Sequence, residues 1–422
     1  MLSDFDLSVR LFLQLAFILG MCRLVGWLAR LIHQPQVVGE MIAGVVMGPS
    51  LLGWAFPAAQ GWLFPEQSRT ILFALSQVGL ALYMFLVGVE LRVDILRQRV
   101  RSAAAVSVAG MVTPFLLGGA LGLWLVGEPD MFGPQVHRFG AALFVGAAMA
   151  ITAFPMLARI IYERGLSGTS LGTLALTAGA IDDGAAWCVL AVVIASMDHT
   201  WSIAAKAIGG GVIYAWFVLT LGRRGLRLLG AKAEAAGRLT NPILAFTLAL
   251  VMLAAWYTDV IGIYAVFGAF LLGVAMPHGF FAERIQRAIE PLVVALLLPL
   301  FFTYSGLNTR LDLVDTPWLW WVSLVVLAAA CVGKGGACWL AARLCGEDNR
   351  TALAVGALMN ARGLMELIIL NIGLQRGIIS PTFFSIMVVM AIATTLMAAP
   401  LFEWVYGRRA RRQGELGKEL LD

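Results

Sequence analysis

Charged side chains are scarce in this sequence. Asp, Glu, Lys and Arg make up only 13% of the 422 residues, whereas 60% of the residues are hydrophobic. Such a composition excludes an ordinary soluble domain, and the apolar segments recur too often for a signal peptide followed by a globular body. The net charge of +5 is small and the basic residues lie in short loops, which favours membrane orientation over nucleic-acid binding. We therefore expect a polytopic protein embedded in the lipid bilayer.

Cysteine and histidine are rare as well. The five cysteines form no CxxC pair and lie within or at the ends of apolar runs, which indicates small apolar side chains rather than disulfides or metal ligands. The four histidines show no zinc-type spacing, and the chain contains no phosphate-binding loop of the GxxxxGK(S/T) kind. We accordingly expect a protein that is not an enzyme and holds no resident cofactor.

Long apolar runs are abundant and define the predicted architecture. Hydropathy indicates about thirteen transmembrane helices, so the predicted fold class is an all-α polytopic membrane protein. The loops between the spans are short, which predicts one integral membrane domain over residues 1–422 with a short basic tail at 407–422. The predicted spans are 8–30, 36–54, 70–91, 103–126, 139–161, 170–196, 202–222, 241–258, 261–277, 288–305, 318–343, 351–373 and 381–405.

Lys and Arg are distributed unevenly over the predicted loops. Of the thirty such residues, twenty-two fall on one side of the membrane and six on the other, and the remaining two lie inside spans. Because basic loops stay in the cytoplasm, this bias places the N-terminus outside and the C-terminus in the cytoplasm. The expected location is the inner (plasma) membrane of a bacterium.

Two adjacent acidic residues, Asp182 and Asp183, stand near the middle of the apolar run 174–191. An acidic side chain at the centre of a membrane helix costs at least ~2.5–3.5 kcal/mol, so an adjacent pair requires a compensating role. Neighbouring helical residues point about 100° apart, so both carboxylates can border one polar cavity. We interpret the pair as a cation or proton site. The alternative is a structural pair neutralised by basic side chains on neighbouring helices.

Lys334 is a second buried charge, set between Gly333 and Gly335 and too central in its span to reach the interface easily. A buried ammonium requires a counter-ion, and one of the two aspartates is the obvious partner. Burial and pairing act in opposite directions on the protonation of both groups, so such a pair can release and regain a proton near neutral pH. The alternative is a permanently ionised, stabilising pair.

Two of the predicted spans are interrupted. The fifth contains Thr152 three residues before Pro155, and the twelfth contains Asn360 and Gly363 in otherwise apolar sequence. Proline removes a backbone donor, and Gly and Asn loosen a helix, so carbonyl and amide groups become free at membrane depth. Thr152 and the freed carbonyls near 150–153 can then complete the oxygen shell of a cation.

Paired interruptions are typical of transporters built from an inverted repeat, with the site at the membrane midplane. We predict two six-helix halves of opposite topology: spans 1–6 (about 8–196) and spans 8–13 (about 241–405), with span 7 (about 202–222) as the linker. Arg362 and Glu366 lie four residues apart on one face of the twelfth span. They either satisfy each other, or instead shape the electric field around the site or lock the two broken helices.

Six stretches, in order and at fitting distances, resemble the monovalent cation:proton antiporter-2 family. They are QPQVVGEMIAGVVMGPSLLG, FLVGVEL, ITAFPMLARI, AIDDGAAW, GKGGACWLAARL and MNARGLMELIILNIG. The family includes Kef-type potassium efflux proteins, bacterial sodium/proton antiporters and plant cation/proton exchangers. The resemblance implies the sodium/proton antiporter fold, with a scaffold domain, a core domain that contains two crossed broken helices, a homodimer, and a role in pH homeostasis.

The resemblance also implies roles for individual residues. Asp183 matches the essential carboxylate that binds either the cation or the proton. Lys334 matches the membrane lysine that pairs with the first aspartate, here Asp182, in sodium/proton members with this doublet. The doublet favours electrogenic exchange of more than one proton per cation. The flanking ITAFPMLARI and MNARGLMELIILNIG are closer to the plant-type branch, which leaves sodium versus potassium open.

The predicted function is secondary active exchange of Na+ and/or K+ for H+ by alternating access, with both ions competing for the Asp182–Asp183 site. Two other functions stay open. A Kef-like potassium efflux system would conduct potassium without moving protons. A sodium-coupled symporter on the same scaffold would need a roomy pocket for an organic anion beside the broken helices.

Overall fold

The computed structural model describes residues 4–32, 34, 36–90, 100–164, 166, 169–197, 201–262, 265–407 and 410. Within these ranges the regular structure is helical, and a single isolated β-bridge joins Phe132 and Ile379. The predicted all-α class is therefore confirmed. The basic tail predicted at 407–422 lies, apart from Gly407 and Ala410, outside the described residues.

Twenty α-helices follow one another along the described chain. The first ten are α1 (Asp4–Leu31), α2 (Gln36–Met47), α3 (Leu52–Ala55), α4 (Pro57–Leu63), α5 (Glu66–Glu90), α6 (Val100–Leu125), α7 (Arg138–Ala150), α8 (Phe154–Glu163), α9 (Ser170–Met197) and α10 (Trp201–Phe217). The others are α11 (Arg223–Ala235), α12 (Asn241–Val260), α13 (Ala265–Val274), α14 (Phe280–Leu292), α15 (Leu298–Leu307), α16 (Pro317–Ala330), α17 (Ala337–Leu344), α18 (Asn349–Met359), α19 (Leu364–Gln375) and α20 (Pro381–Phe402). Wider π-helical turns occur at Val218–Gly222, Val293–Leu297, Cys331–Gly336 and Glu403–Gly407, and a 3-10 turn occurs at Leu311–Leu313.

Each of the thirteen predicted spans overlaps helix in the described chain. Eight helical runs there are long and apolar enough to cross a membrane, and four shorter apolar helices accompany them. The fifth and twelfth predicted spans each consist of two short helices, α7 with α8 and α18 with α19. The chain is thus an integral membrane protein. A count based on helix length alone misses the spans that consist of two short helices.

Cap residues in the connections fix where several of these helices begin. The hydroxyl of Thr316 accepts the Leu319 amide before α16, and Ser380 does the same for Phe383 before α20. Both helices start on a proline, whose missing N–H is no loss in the first turn. Asp348 caps α18 by accepting two backbone amides. These side-chain caps define the first residues of the three helices.

The chain groups into two compact units, each assembled from three separate segments. The first unit comprises Met1–Cys22, Phe56–Arg92 and Ile194–Tyr304, and the second comprises Arg23–Ala55, Val93–Val193 and Ser305–Asp422. Both predicted halves of the chain therefore contribute to both units. The inverted relationship between the two halves stays a prediction.

The first unit is held by close helix approach. In α5 and α13, a Cβ added at Gly88 would lie 3.0 Å from the Gly273 Cα, and the converse distance is the same. Only glycine permits this contact, which brings the two backbones together. The Tyr214 hydroxyl in α10 adds a buried hydrogen bond of 2.8 Å to the Gly268 carbonyl.

The second unit contains both broken spans and the acidic pair. A Cβ added at Gly118 in α6 would lie 3.0 Å from the Gly146 Cα in α7, so these helices also pack backbone to backbone. One cluster of buried apolar residues joins α6, α8, α9, α17, α18 and α20. Because protein interiors are close-packed, this cluster fixes the relative positions of the helices that carry the polar groups.

Candidate functional site

The two broken spans of the second unit lie against each other at their breaks. Helix α7 ends at Ala150 and α8 begins at Phe154, with residues 151–153 outside helix. Helix α18 ends at Met359 and α19 begins at Leu364. The Ala153 amide donates to the Ala361 carbonyl at 3.5 Å, so the non-helical segments contact each other through the backbone.

Local sequence accounts for the first break, and a contact from another helix supports the second. Pro155 is the second residue of α8, where its missing N–H costs no helical bond, so the helix restarts there rather than continuing from α7. The Pro155 side chain lies outside the described residues. In the second break the Thr395 hydroxyl of α20 donates to the Arg362 carbonyl at 2.5 Å and accepts the Arg362 amide at 3.1 Å. Side chains thus replace the hydrogen bonds that the interrupted helix forgoes.

Two fully buried, positively charged side chains contact the carboxyl end of α7. Its last carbonyls lack helical partners, because the chain leaves helix after Ala150. The Arg362 Nη2 group donates to the Met149 carbonyl at 2.8 Å, and the Lys334 ammonium donates to the Ala150 carbonyl. Positive charge is favoured at this end of a helix by the helix dipole. Two buried positive charges of the second unit therefore lie at the first break.

Asp182 lies in α9 and is completely buried. Its Oδ1 atom accepts from the Ser107 hydroxyl of α6, and its Oδ2 atom accepts from the Thr152 hydroxyl and from Lys334 Nζ at 3.2 Å. The carboxylate is thus hydrogen-bonded by two hydroxyls and one ammonium from three different segments. A buried charge with a full set of partners is tolerated where a bare one is not.

Lys334 is fully buried on the π-helical turn Cys331–Gly336. Its ammonium donates to the Gly110 carbonyl at 3.0 Å, to the Ala150 carbonyl and to Asp182. An ammonium has three N–H donors, so these three acceptors occupy all of them. Single π-helical turns occur frequently at functional sites, because they redirect a side chain without ending the helix.

Arg362 and Glu366 form a second buried ion pair at 3.2 Å, within the segment that leads from the break into α19. Both side chains are almost completely inaccessible, and Arg362 also holds the Met149 carbonyl of α7. Asn360 donates to the Cys331 sulfur at 3.5 Å and so contacts the turn that carries Lys334. Arg362 and Glu366 therefore neutralise each other's charge, and Arg362 also ties the second break to the first.

The structure brings together most of the residues singled out in the sequence. Asp182, Thr152 and Lys334 form one hydrogen-bonded group, and Arg362 contacts the same helix end. Asp183 follows Asp182 in α9, but its side chain lies outside the described residues. The roles of all these residues in transport stay predictions.

Two partners of this group are not evident from the sequence. Ser107 donates to Asp182, and the Gly110 carbonyl accepts from Lys334, both from α6. A serine in an apolar span is common and usually bonds its own helix, so the residue type gave no specific indication. Proline in the same helix, at Pro114, is the feature that points to a free carbonyl one turn earlier.

Comparison with known proteins places the chain in a family. The family model described as sodium/hydrogen exchanger, transmembrane, matches residues 16–405. The chain is 42% identical over 395 residues to the Na(+)/H(+) antiporter NhaS4 of Synechocystis sp., covering 92% of this chain and 95% of that protein. It is 36% identical over 404 residues to Cation/H(+) antiporter 17 of Arabidopsis thaliana, covering 94% of this chain and 48% of that protein. The chain thus spans about half the length of the plant relative.

A solved structure agrees with the fold. The sodium proton antiporter MjNhaP1 from Methanocaldococcus jannaschii matches with a TM-score of 0.61, over 98% of this chain and 99% of that one, at 14% sequence identity. The sodium/proton antiporter fold predicted from the six motifs is therefore confirmed. Because the family model covers nearly all of the helical chain, this protein belongs to the transmembrane sodium/hydrogen exchanger family.

Proposed function

We propose that the protein is a secondary active antiporter that exchanges Na+ or K+, or both, for protons across a membrane. Its membership of the family and its similarity to a Na(+)/H(+) antiporter and a cation/H(+) antiporter support this activity. No nucleotide-driven step is required, because the gradient of one ion drives the other.

One observation carries the site assignment: Asp182 is already compensated, and a second carboxylate follows it on the same helix. Lys334, Ser107 and Thr152 occupy the Asp182 oxygens. The Arg362–Glu366 pair is also internally neutral. Asp183 is thus the residue that we propose to bind the transported cation or proton, with Thr152 and backbone oxygens of the first break as further ligands. Carboxylate, hydroxyl and carbonyl oxygens are the ligands that hard cations prefer.

Exchange follows from competition at this site. A bare carboxylate is too costly to move through the low-dielectric interior, so only the site loaded with a cation or with protons changes its exposure from one side to the other. A cation that also takes an Asp182 oxygen displaces the Lys334 ammonium, which then releases its proton. We propose this second step as the source of exchange with more than one proton per cation.

Assembly and orientation are further parts of the proposal. The resemblance supports a homodimer, and the distribution of Lys and Arg supports an extracytoplasmic N-terminus in a bacterial plasma membrane. The chain's partners would then be monovalent cations, protons and the bilayer, without nucleic acid.

Proton flux from liposomes with an acidic interior tests the function. Purified protein is challenged in turn with Na+, K+ and Li+, and internal pH is followed with an entrapped dye. We expect cation-triggered proton efflux that Asp183→Asn abolishes and that the exposed control Asp259→Asn leaves unchanged. Wild-type efflux in Asp183→Asn would overturn the site assignment. Cation movement without proton movement would favour the Kef-like system, and sodium flux that requires an organic anion would favour the symporter.

A further inference from the structure

Pro114 interrupts the hydrogen-bond ladder of α6 without ending the helix. Proline has no N–H, so the carbonyl four residues earlier receives no helical bond from it. That carbonyl belongs to Gly110, and it is the one that accepts from Lys334 Nζ at 3.0 Å. This one of the ammonium's two backbone acceptors therefore has no competing helical donor at residue 114, because that residue is proline.

The same device occurs once more in the second unit. Pro400 lies inside α20, and the carbonyl four residues earlier, that of Leu396, accepts from the Gln34 side chain at 3.1 Å. Each proline thus frees a carbonyl for a side chain from elsewhere in the chain. The two cases differ in the donor, which is a buried ammonium at Pro114 and a neutral amide at Pro400.

Packing holds the two backbones close at the first of these positions. A Cβ added at Gly333 would lie 3.2 Å from the Pro114 Cα, and one added at Gly110 would lie 2.5 Å from the Cys338 sulfur. Gly333 and Cys338 flank Lys334 on either side. Helix α6 therefore approaches the π-helical turn so closely that the freed carbonyl lies within hydrogen-bond reach of the ammonium.

We propose that Pro114 is a positioning residue for ion exchange: it frees the Gly110 carbonyl, which fixes Lys334 beside Asp182. This inference rests on the proposed function, in which the cation and the ammonium compete for Asp182. Any residue with an N–H at position 114 would bond the Gly110 carbonyl within the helix. The ammonium would then share this acceptor with a helical N–H, hold it more weakly, and be displaced more easily by a cation.

Two replacements separate the missing N–H from the bulk of the ring. Pro114→Ala restores the N–H and removes volume, whereas Pro114→Val restores the N–H and keeps a similar volume. Alanine also favours helix where proline opposes it, so the variant is expected to fold. Pro400→Ala is the matched control, because it makes the same backbone change at a carbonyl with a neutral donor.

Cation binding is measured as thermal stabilisation of the purified full-length protein by NaCl or KCl, with choline chloride as the ionic-strength control. Both Pro114 variants are expected to lower the half-maximal cation concentration about five- to tenfold, the size expected for weakening one charge-assisted hydrogen bond. Pro400→Ala should change it less than twofold. In a Lys334→Met background, Pro114→Ala should have no further effect, because the residue acts through the ammonium.

Several results would overturn the inference. One is that Pro114→Ala changes the half-maximal cation concentration equally with and without Lys334. Another is that Pro114→Ala changes it and Pro114→Val does not. A third is that cation binding is unchanged in both variants. Failure of the underlying function looks different. If neither salt stabilises the wild type, or if Asp183→Asn responds fully, the site assignment fails and the positioning role fails with it. Only the positioning role is refuted if the salts stabilise the wild type, do not stabilise Asp183→Asn, and stabilise the Pro114 variants at the wild-type concentration.

Discussion

Replacing Lys334 by methionine would leave the Asp182 carboxylate buried without its ammonium partner, and Asp182→Asn would do the converse. Both side chains are completely inaccessible, and their charged atoms are 3.2 Å apart. Removing one partner of a buried pair costs about 3–5 kcal/mol, because the remaining charge is left uncompensated. The double variant Asp182→Asn/Lys334→Met retains no such charge, so it should lose much less stability than the two single variants together.

Unfolding by SDS in mixed micelles measures these differences, followed by fluorescence of the chain's 13 tryptophans. The pair Arg310–Asp312 is the control: its ion pair is 2.6 Å long but about half-exposed, and such surface pairs contribute only ~0–1 kcal/mol. The cycle Arg310→Met/Asp312→Asn should therefore show little coupling.

Additivity of the two single variants within about 0.5 kcal/mol would refute the view that this pair is mutually compensating.

Two further replacements test other parts of the second unit. Ser107→Ala removes one hydrogen-bond donor from the Asp182 carboxylate and should lower the free energy of unfolding by about 1.5–3 kcal/mol in the same assay. The control is Ser76→Ala, because the buried Ser76 hydroxyl bonds a neutral carbonyl. A loss in Ser107→Ala no greater than in this control would count against the role of Ser107. Asp348→Ala removes the cap of α18 and should cost about 1 kcal/mol at pH 7. Hydrogen bonds from Thr351 and Arg350 lower the pKa of the Asp348 carboxyl, so its contribution is fully present above the unfolded-state pKa and is lost as the pH falls through the lower folded-state pKa. An equal loss at pH 3 would contradict this origin.

The architecture follows largely from the sequence. Apolar runs of membrane-spanning length predict all-α spans, because a backbone in lipid must satisfy its own hydrogen bonds. Proline, glycine and asparagine in two of those runs predict the breaks at 151–153 and 360–363, since these residues remove or loosen helical bonds. Charged residues are few within the apolar runs, so Asp182, Asp183 and Lys334 are conspicuous without any structure.

The tertiary structure decides which groups meet. From the residues alone, either aspartate could pair with Lys334, and only the family resemblance favoured Asp182. The contacts that define the site join residues far apart in sequence: Ser107 and Asp182 are 75 residues apart, and Lys334 and Gly110 are 224 apart. A single sequence contains periodicity and local backbone preferences, but no information on how interleaved segments pack into one unit.

What the sequence determined by itself is therefore the set of helices, their breaks and the charges that need compensation, because each depends on local chemistry and on the cost of burial. What only the tertiary structure decided is how that compensation is made. The Ser107 hydroxyl, the freed Gly110 carbonyl and the open end of α7 become partners of buried charges only after close packing of α6, α7, α9 and the π-helical turn brings them within hydrogen-bond distance.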